Sequence, residues 1–298
     1  MKPTLTIGIL ACNEEANIGA LLSALLEQDI QTATLHEILV VSDASTDKTD
    51  EIVRSFEPRG VKLVRHEKRS GANAVQNTMM DHAETDLLVV LDADIIPETK
   101  SFIDGLVEPI INDASVGLTS ARLLPATPQT FIEKILVWHH EWKWKLFRTI
   151  GDGNNIYTCP GPARAFSKRL YKAFRYPTNI LYVPYDAACY MFCIKEKMRF
   201  VSVDSPRAIF RCPDNLRDHL KQSSRFPAGQ GQIVALFEDD ARKAYVIPRG
   251  RMLSRMLTES IAHPIYSLSF FVIWCIARAR KPKPVKASWD MSASTKKI

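Results

Sequence analysis

Two hydrophobic periods alternate along the first third of the chain. Short aliphatic runs at 5–11 ("LTIGILA"), 37–44 ("EILVVSDA"), 61–67 ("VKLVRHE") and 86–91 ("DLLVVL") have the length and branched side chains of strands. Between them, 14–28 places Ile18, Leu21, Leu22, Leu25 and Leu26 at helical spacing. Further helices are predicted at 47–56, 72–83 and 98–112, and a fifth strand at 116–124. Strands that are apolar throughout are buried on both faces, which predicts an α/β fold: a mainly parallel sheet with helices on both sides. Beyond residue 125 the pattern is less regular. It gives a long aromatic and basic helix at 128–150, a glycine- and proline-bearing loop at 151–166, a helical stretch at 183–198, a strand at 199–205 and a helix at 214–238. Three parts are expected: 1–121, 122–245 and 246–298.

The last part changes the picture. Residues 261–277 carry no charge apart from His263, and a basic stretch comes at once after them. A helix needs about 20 apolar residues to span a bilayer, so this segment is at the short limit; spanning it or lying in the interface is expected ahead of a buried core helix. Pro264 either kinks the segment or starts it. The net charge of +6 is contained in residues 278–298, leaving 1–277 neutral. A basic binding face, and nucleic acid with it, is thereby excluded. The basic flank places the segment on the cytoplasmic side of a membrane, as a peripheral element or single C-terminal anchor. Six cysteines without a C-x-x-C pair or zinc spacing read as reduced, cytosolic thiols.

Candidate chemistry gathers at strand ends. The run "DLLVVLDADIIPE" closes on Asp92 and Asp94, two anions one residue apart. Either they stand in solvent, or a cation reconciles them. Hard oxygen ligands select magnesium or manganese. Asp43 also comes after a strand, on the sheet edge where ligands of parallel sheets bind. There is no G-x-G-x-x-G after the first strand and no Walker A sequence, so dehydrogenase and P-loop readings lack support.

Four ordered motifs give a specific likeness. "ILACNEEANI", "VVSDASTDKTDEIV", "RSGANAVQNTMM" and "LVVLDADIIPE" resemble, in order, the signature segments of family 2 glycosyltransferases. The resemblance covers about residues 4–238 and implies the GT-A fold, a Rossmann-like, mainly parallel sheet, here with a C-terminal helical membrane-associated segment. It implies a nucleotide-sugar donor bound by Ala11, Glu14, Asp43, Arg69, Asn77, Asp92 and Ala93. Asp43 would take the base, and Asp94 with Asp92 would take Mn2+ or Mg2+. Asp186 in "VPYDAACY" falls at the family's catalytic base, with Tyr185 where an acid is usual. "KQSSRF" supplies Gln222, Arg225 and Phe226, resembling the Gln-x-x-Arg-Trp motif that faces acceptor and diphosphate. Asp186 also suits a helix cap, as does Asp43 for the helix after it, and Asp47 is expected to be one.

Departures from the family pattern weaken the choice of base. Cys12 stands at a stacking tyrosine and Ala72 at a lysine. The resemblance implies an inverting, metal-dependent transfer from a nucleotide sugar, UDP favoured. The expected acceptor is a lipid, a lipid-linked saccharide or a polysaccharide, extended without processivity. A nucleotidyltransferase and a non-catalytic scaffold are the alternatives. In "VWHHEWKWKLFR" core packing explains some of the tryptophans. Their mixing with cations points equally to an anionic membrane surface or the acceptor. His139, His140 and His219 lack metal spacing and read as structural.

Overall fold

The first apolar run becomes the centre of a sheet. The computed structural model describes residues 1–180 and 183–279. Among them eight strands pair: β1 (Thr4–Ala11), β2 (Thr34–Ser42), β3 (Val61–Arg65), β4 (Leu87–Asp92), β5 (Ile96–Pro97), β6 (Val116–Pro125), β7 (Ala163–Ser167) and β8 (Arg199–Phe210). Their order is β3-β2-β1-β4-β7-β6-β8-β5. β1 is parallel to β2 and β4, and β2 to β3. β7 runs antiparallel to β4 and β6, β6 is parallel to β8, and β5 caps β8 antiparallel. The sheet is thus parallel through β4 and mixed beyond it, and it crosses the boundary expected at residue 121.

Alternation along the strands sorts two cores. Leu5, Ile7 and Ile9 of β1 pack with α1 (Ile18–Leu26) and α4 (Phe102–Asn112) on one face. Leu10, with Leu39 and Val41 of β2, packs on the other against α3 (Ala72–His82), joined by α6 (Lys168–Ala173), α7 (Tyr185–Lys195) and α9 (Arg225–Ala244). Gly8 allows α3 to approach: a Cβ there would sit 2.8 Å from Met79 Sδ. Because β1, β2 and β4 are parallel and in register, Ala11, Ser42 and Asp92 end on one edge. α2 (Thr49–Ser55) leaves that edge after β2.

Several expected elements differ. The 151–166 loop contains two single 3-10 turns and ends in β7, a strand hidden by a charge at its second residue. The helix expected at 214–238 is two, α8 (Leu216–Ser223) and α9, abutting at Ser224. The long helix is α5 (Phe131–Phe147), started by a capping box in which Thr130 and Glu133 satisfy each other's backbone N–H groups. The C-terminal part is a pair, α10 (Arg249–Ala262) and α11 (Pro264–Ala279), broken at His263. No helix among the described residues is long and apolar enough to cross a membrane. Proline starts α11 at residue 264, which leaves the helix shorter than the roughly 20 apolar residues a bilayer-spanning helix requires. The basic stretch expected to touch lipid, Arg278 aside, lies outside the described residues.

One backbone feature stands beside the sheet edge. Ala44, directly after Asp43, has φ +53°, in the left-handed region that a Cβ disfavours by about 1–2 kcal/mol. Glycine there removes the clash and returns part of the gain as chain entropy. Ala44→Gly is therefore expected to raise stability by up to about 1 kcal/mol, read as a higher urea midpoint at unchanged slope. A lowered midpoint would contradict this account.

Candidate active site

Asp92 closes β4 and is enclosed because β7 arrives antiparallel beside it. The register sets Leu91 against Ala163 and Val90 against Arg164, and the Asp92 N–H donates to Pro162 O at 2.9 Å. The segment 161–164 is thereby held against the acidic strand end. Asp92 Oδ2 accepts from the Tyr185 hydroxyl at 2.7 Å, while buried Oδ1 has no hydrogen-bond partner among the described residues. Burial pushes Asp92 up to about 6; the Tyr185 hydroxyl and Arg164 oppose the rise, and Glu14 and Asp186 add to it. Glu14, Asp92 and Asp186 therefore form one electrostatic group.

Behind them lies Arg164, fully buried. Its nitrogens donate to Gly161 O at 2.9 Å, Tyr176 Oη at 2.9 Å, Cys189 Sγ at 3.2 Å and Gln76 Oε1 at 2.6 Å. The guanidinium stands 4.8 Å from the Tyr185 ring centroid and 5.5 Å from that of Phe166. Those partners are uncharged side chains and a carbonyl, so its charge acts outward on the carboxylates: it lowers both Asp92 and Asp186. Burial works against a Cys189 thiolate; Cys159 and Arg164 outweigh it and bring the thiol down to about 7. Gly161 is required at its place, since a Cβ would fall 2.3 Å from the Tyr185 ring.

Asp186 occupies the first turn of α7, and its Oδ1 accepts the Ala187 N–H at 2.8 Å. Pro184 is the N-cap residue, so Asp186 does not cap α7 as expected but satisfies a first-turn N–H from within the helix. Burial raises its pKa, and the Ala187 N–H and Arg164 restrain that rise. A carboxylate with raised affinity for protons is suited to general-base work.

The remaining predicted donor residues divide. Asp43 is fully buried and accepts from Ser70 N at 2.7 Å, Ser70 Oγ at 2.9 Å and Gly71 N at 3.0 Å. It fastens the loop leading into α3, and its own N–H donates to Ala11 O at 2.9 Å. It does not cap α2: Asp47 instead accepts the Thr49 N–H at 3.0 Å, and also the Glu15 N–H at 3.1 Å. Asn77 clasps the Tyr176 backbone on both sides, at 2.8 and 2.9 Å, so its amide holds the chain. Glu14 Oε2 accepts from Asn17 at 3.2 Å. Ala11 and Ala93 are buried, and Arg69 is exposed in the loop that Asp43 fastens. Cys12 is buried with its thiol toward Asp43 O at 3.4 Å, and so offers no stacking face.

Gln222 lies in the last turn of α8, and Arg225 and Phe226 open α9. They straddle the junction of two helices, where a single helix face was expected; Gln222 and Phe226 are exposed. Sequence reasoning missed Arg164, Gly161 and Gln76. The one signal was an arginine inside an otherwise apolar "ARAF".

The structure offers a divalent ion the partly unsatisfied carboxylate of Asp92 and half-buried Asp94 in the turn after it. No group of three or more His, Cys, Asp or Glu suited to a metal occurs among the described residues. Two carboxylates with remaining positions left to phosphate oxygens and water is a donor set that fits Mg2+ or Mn2+.

Comparison with known proteins bears on the family and the fold. The family described as Glycosyl transferase family 2 matches residues 6–175, stopping short of Asp186. A 4,4'-diaponeurosporenoate glycosyltransferase of Staphylococcus aureus (strain bovine RF122 / ET3-1) is 27% identical over 174 residues. The match takes in 57% of this chain and 45% of that relative, so the chain aligns with only about half of the curated relatives' length. Among solved structures, the mannosyltransferase PcManGT from Pyrobaculum calidifontis, in complex with GDP-Man and Mn2+, aligns with TM-score 0.61 at 17% identity over 95% of this chain and 82% of that one. S. aureus TarS in complex with UDP gives 0.55 at 18% identity, over 88% and 72%. Glucosyl-3-phosphoglycerate synthase from Mycobacterium tuberculosis, with Mn2+, UDP and phosphoglyceric acid, gives 0.52 at 16% identity, over 80% and 78%. The likeness to these structures is one of fold, the GT-A fold.

Tyr185→Phe leaves a buried carboxylate with neither oxygen bonded to Tyr185. Loss of about 1–3 kcal/mol of stability at neutral pH is expected, measured by urea unfolding. An unchanged midpoint would show that the hydroxyl contributes nothing to holding Asp92.

Proposed function

The chain belongs to glycosyl transferase family 2, and from that membership and the carboxylate geometry we propose an inverting transfer of a sugar from a nucleoside-diphosphate sugar, with UDP-sugars the first donors to test. The observation that carries this is Asp92: buried at the end of β4, one oxygen unpartnered, in electrostatic contact with Glu14 and Asp186. In a single displacement the acceptor oxygen bonds to the anomeric carbon from the face opposite the departing diphosphate. Asp186 takes the acceptor's proton as that bond forms. Tyr185 fixes Asp92, and buried Arg164 keeps the clustered acids ionised without occupying their oxygens. Arg225 lies on the helix junction from which it would face the diphosphate. A divalent ion held by Asp92 and Asp94 would supply the charge that a leaving diphosphate requires.

The acceptor in this reading is a lipid or lipid-linked saccharide at the cytoplasmic face of a membrane. Support comes from α10 and α11, where Leu253, Leu257, Ile261, Ile265 and Leu268 are 62–73% exposed. An apolar surface of that extent on two adjacent helices is unusual for water-facing protein. Arg249, Arg251 and Arg255 on α10 and Arg278 on α11 supply the cationic rim of an interfacial pair.

A panel of nucleotide sugars with and without Mn2+ tests the reading, with release of nucleoside diphosphate as the product. Asp94→Ala is expected to abolish metal-dependent donor binding. Asp186→Asn is expected to keep that binding and to slow turnover about 10²–10⁴-fold. Release of inorganic diphosphate instead would indicate nucleotidyl transfer. Silence across the panel, with no nucleotide bound, would leave only a scaffold.

A further inference from the structure

The junction of α5, α8 and α11 gathers basic groups that the transfer chemistry leaves unused. α11 packs on both α5 and α8 there. His139 and Lys143, one turn apart, lie on the covered face of α5 with Trp138 and Trp142, and His219 comes from α8. Phe270 of α11 stacks on His139 with centroids 3.5 Å apart, and Trp142 meets His139 edge-on at 5.6 Å. The indole Nε1 atoms of Trp138 and Trp142 are both buried without a hydrogen-bond partner among the described residues. Two such donors beneath one helix call for an acceptor.

The charge pattern points the same way. Burial, then mutual repulsion, holds His139 and His219 below their usual values; burial lowers Lys143. Lys143, His140 and His219 are the charged groups that act on His139, and Lys143 acts on His219; no carboxylate is among them. The two carboxylates of α5 are engaged elsewhere: Glu133 with Arg211 at 3.0 Å and Glu141 with Arg122 at 2.9 Å. One ammonium, two imidazoles and two indole N–H donors converge, and among the described residues the group of opposite charge that acts on Lys143 is the Cys212 thiol.

We propose that this junction binds the phosphoryl group of an amphiphile, with Lys143, His139 and His219 facing its oxygens, the Trp138 and Trp142 N–H groups as neutral donors, and the alkyl chain along the exposed residues of α10 and α11. Fork-like carboxylate recognition favours arginine; an ammonium and imidazoles suit a compact tetrahedral anion. The aliphatic surface that begins beside α11 selects an alkyl phosphate over a free one. Such a ligand is the transfer acceptor only if the reading of the active site holds; the phosphoryl site itself does not depend on it.

The test needs no nucleotide sugar. Tryptophan emission of the full chain is monitored during titration with decyl phosphate, decyl maltoside and inorganic phosphate, the amphiphiles below their micelle concentrations. Saturation by decyl phosphate, and none by the maltoside, is expected. Lys143→Gln/His219→Gln should raise the half-saturating concentration at least about tenfold, the loss of charge-assisted bonds. Lys143→Arg, which keeps the charge, should recover most of it, and unchanged thermal midpoints in all three proteins establish that they are folded. Equal response to the uncharged maltoside, or a double variant that titrates like the parent, overturns the site. Saturation by inorganic phosphate at the same concentration overturns the amphiphile and leaves a phosphate site. Because the readout is binding alone, its failure is separate from a silent donor panel.

Discussion

A cation sealed behind a group of anions is the constraint on which the active site depends. Arg164 has no access to water, and its nitrogens are bonded to carbonyl, hydroxyl, thiol and amide groups. A buried charge is tolerated only when it is fully hydrogen-bonded and balanced nearby. The balance comes from Asp92 and Asp186, which feel the guanidinium without touching it. Direct ion pairs would have tied up the carboxylate oxygens themselves. Holding the cation one layer deeper stabilises the acids and leaves Asp92 Oδ1 available.

The fold supplies that layering through one reversal. Parallel strands up to β4 bring acids to a common edge, but a parallel neighbour would also end there. β7 runs the other way, so its beginning meets the end of β4 and carries Gly161, Pro162 and Arg164 to the acids. The same edge is tightened from the far side by Asp43, which fixes the entry to α3 through Ser70 and Gly71. Asp43 thus shapes this edge of the sheet by positioning backbone.

Much of this architecture is legible in residue order. Apolar strands alternating with amphipathic helices from Leu5 to Leu124 specify the parallel half, because burial on two faces leaves no other pattern. Asp92, Asp94 and Asp186 can be placed at element ends by the turns around them. β7 cannot: five residues with an arginine in second place look like loop, and only long-range pairing with β4 makes them strand. Asn77 looks like a ligand because its spacing matches a motif, yet both ends of its amide meet the Tyr176 backbone. Side-chain partners of that kind are set by tertiary approach, which periodicity does not encode. The split of α8 from α9 has one signal in the sequence, Pro227, which has no N–H to continue the ladder although Ser224 keeps helical angles.

The close seat of the Tyr185 ring on Gly161 has an evolutionary consequence. Neither position is free to drift alone: a methyl group at 161 collides with the ring, and a smaller residue at 185 opens a hole above Arg164. Across homologous sequences the two columns should therefore change together, with side chains at the first found only where the second has lost its aromatic ring.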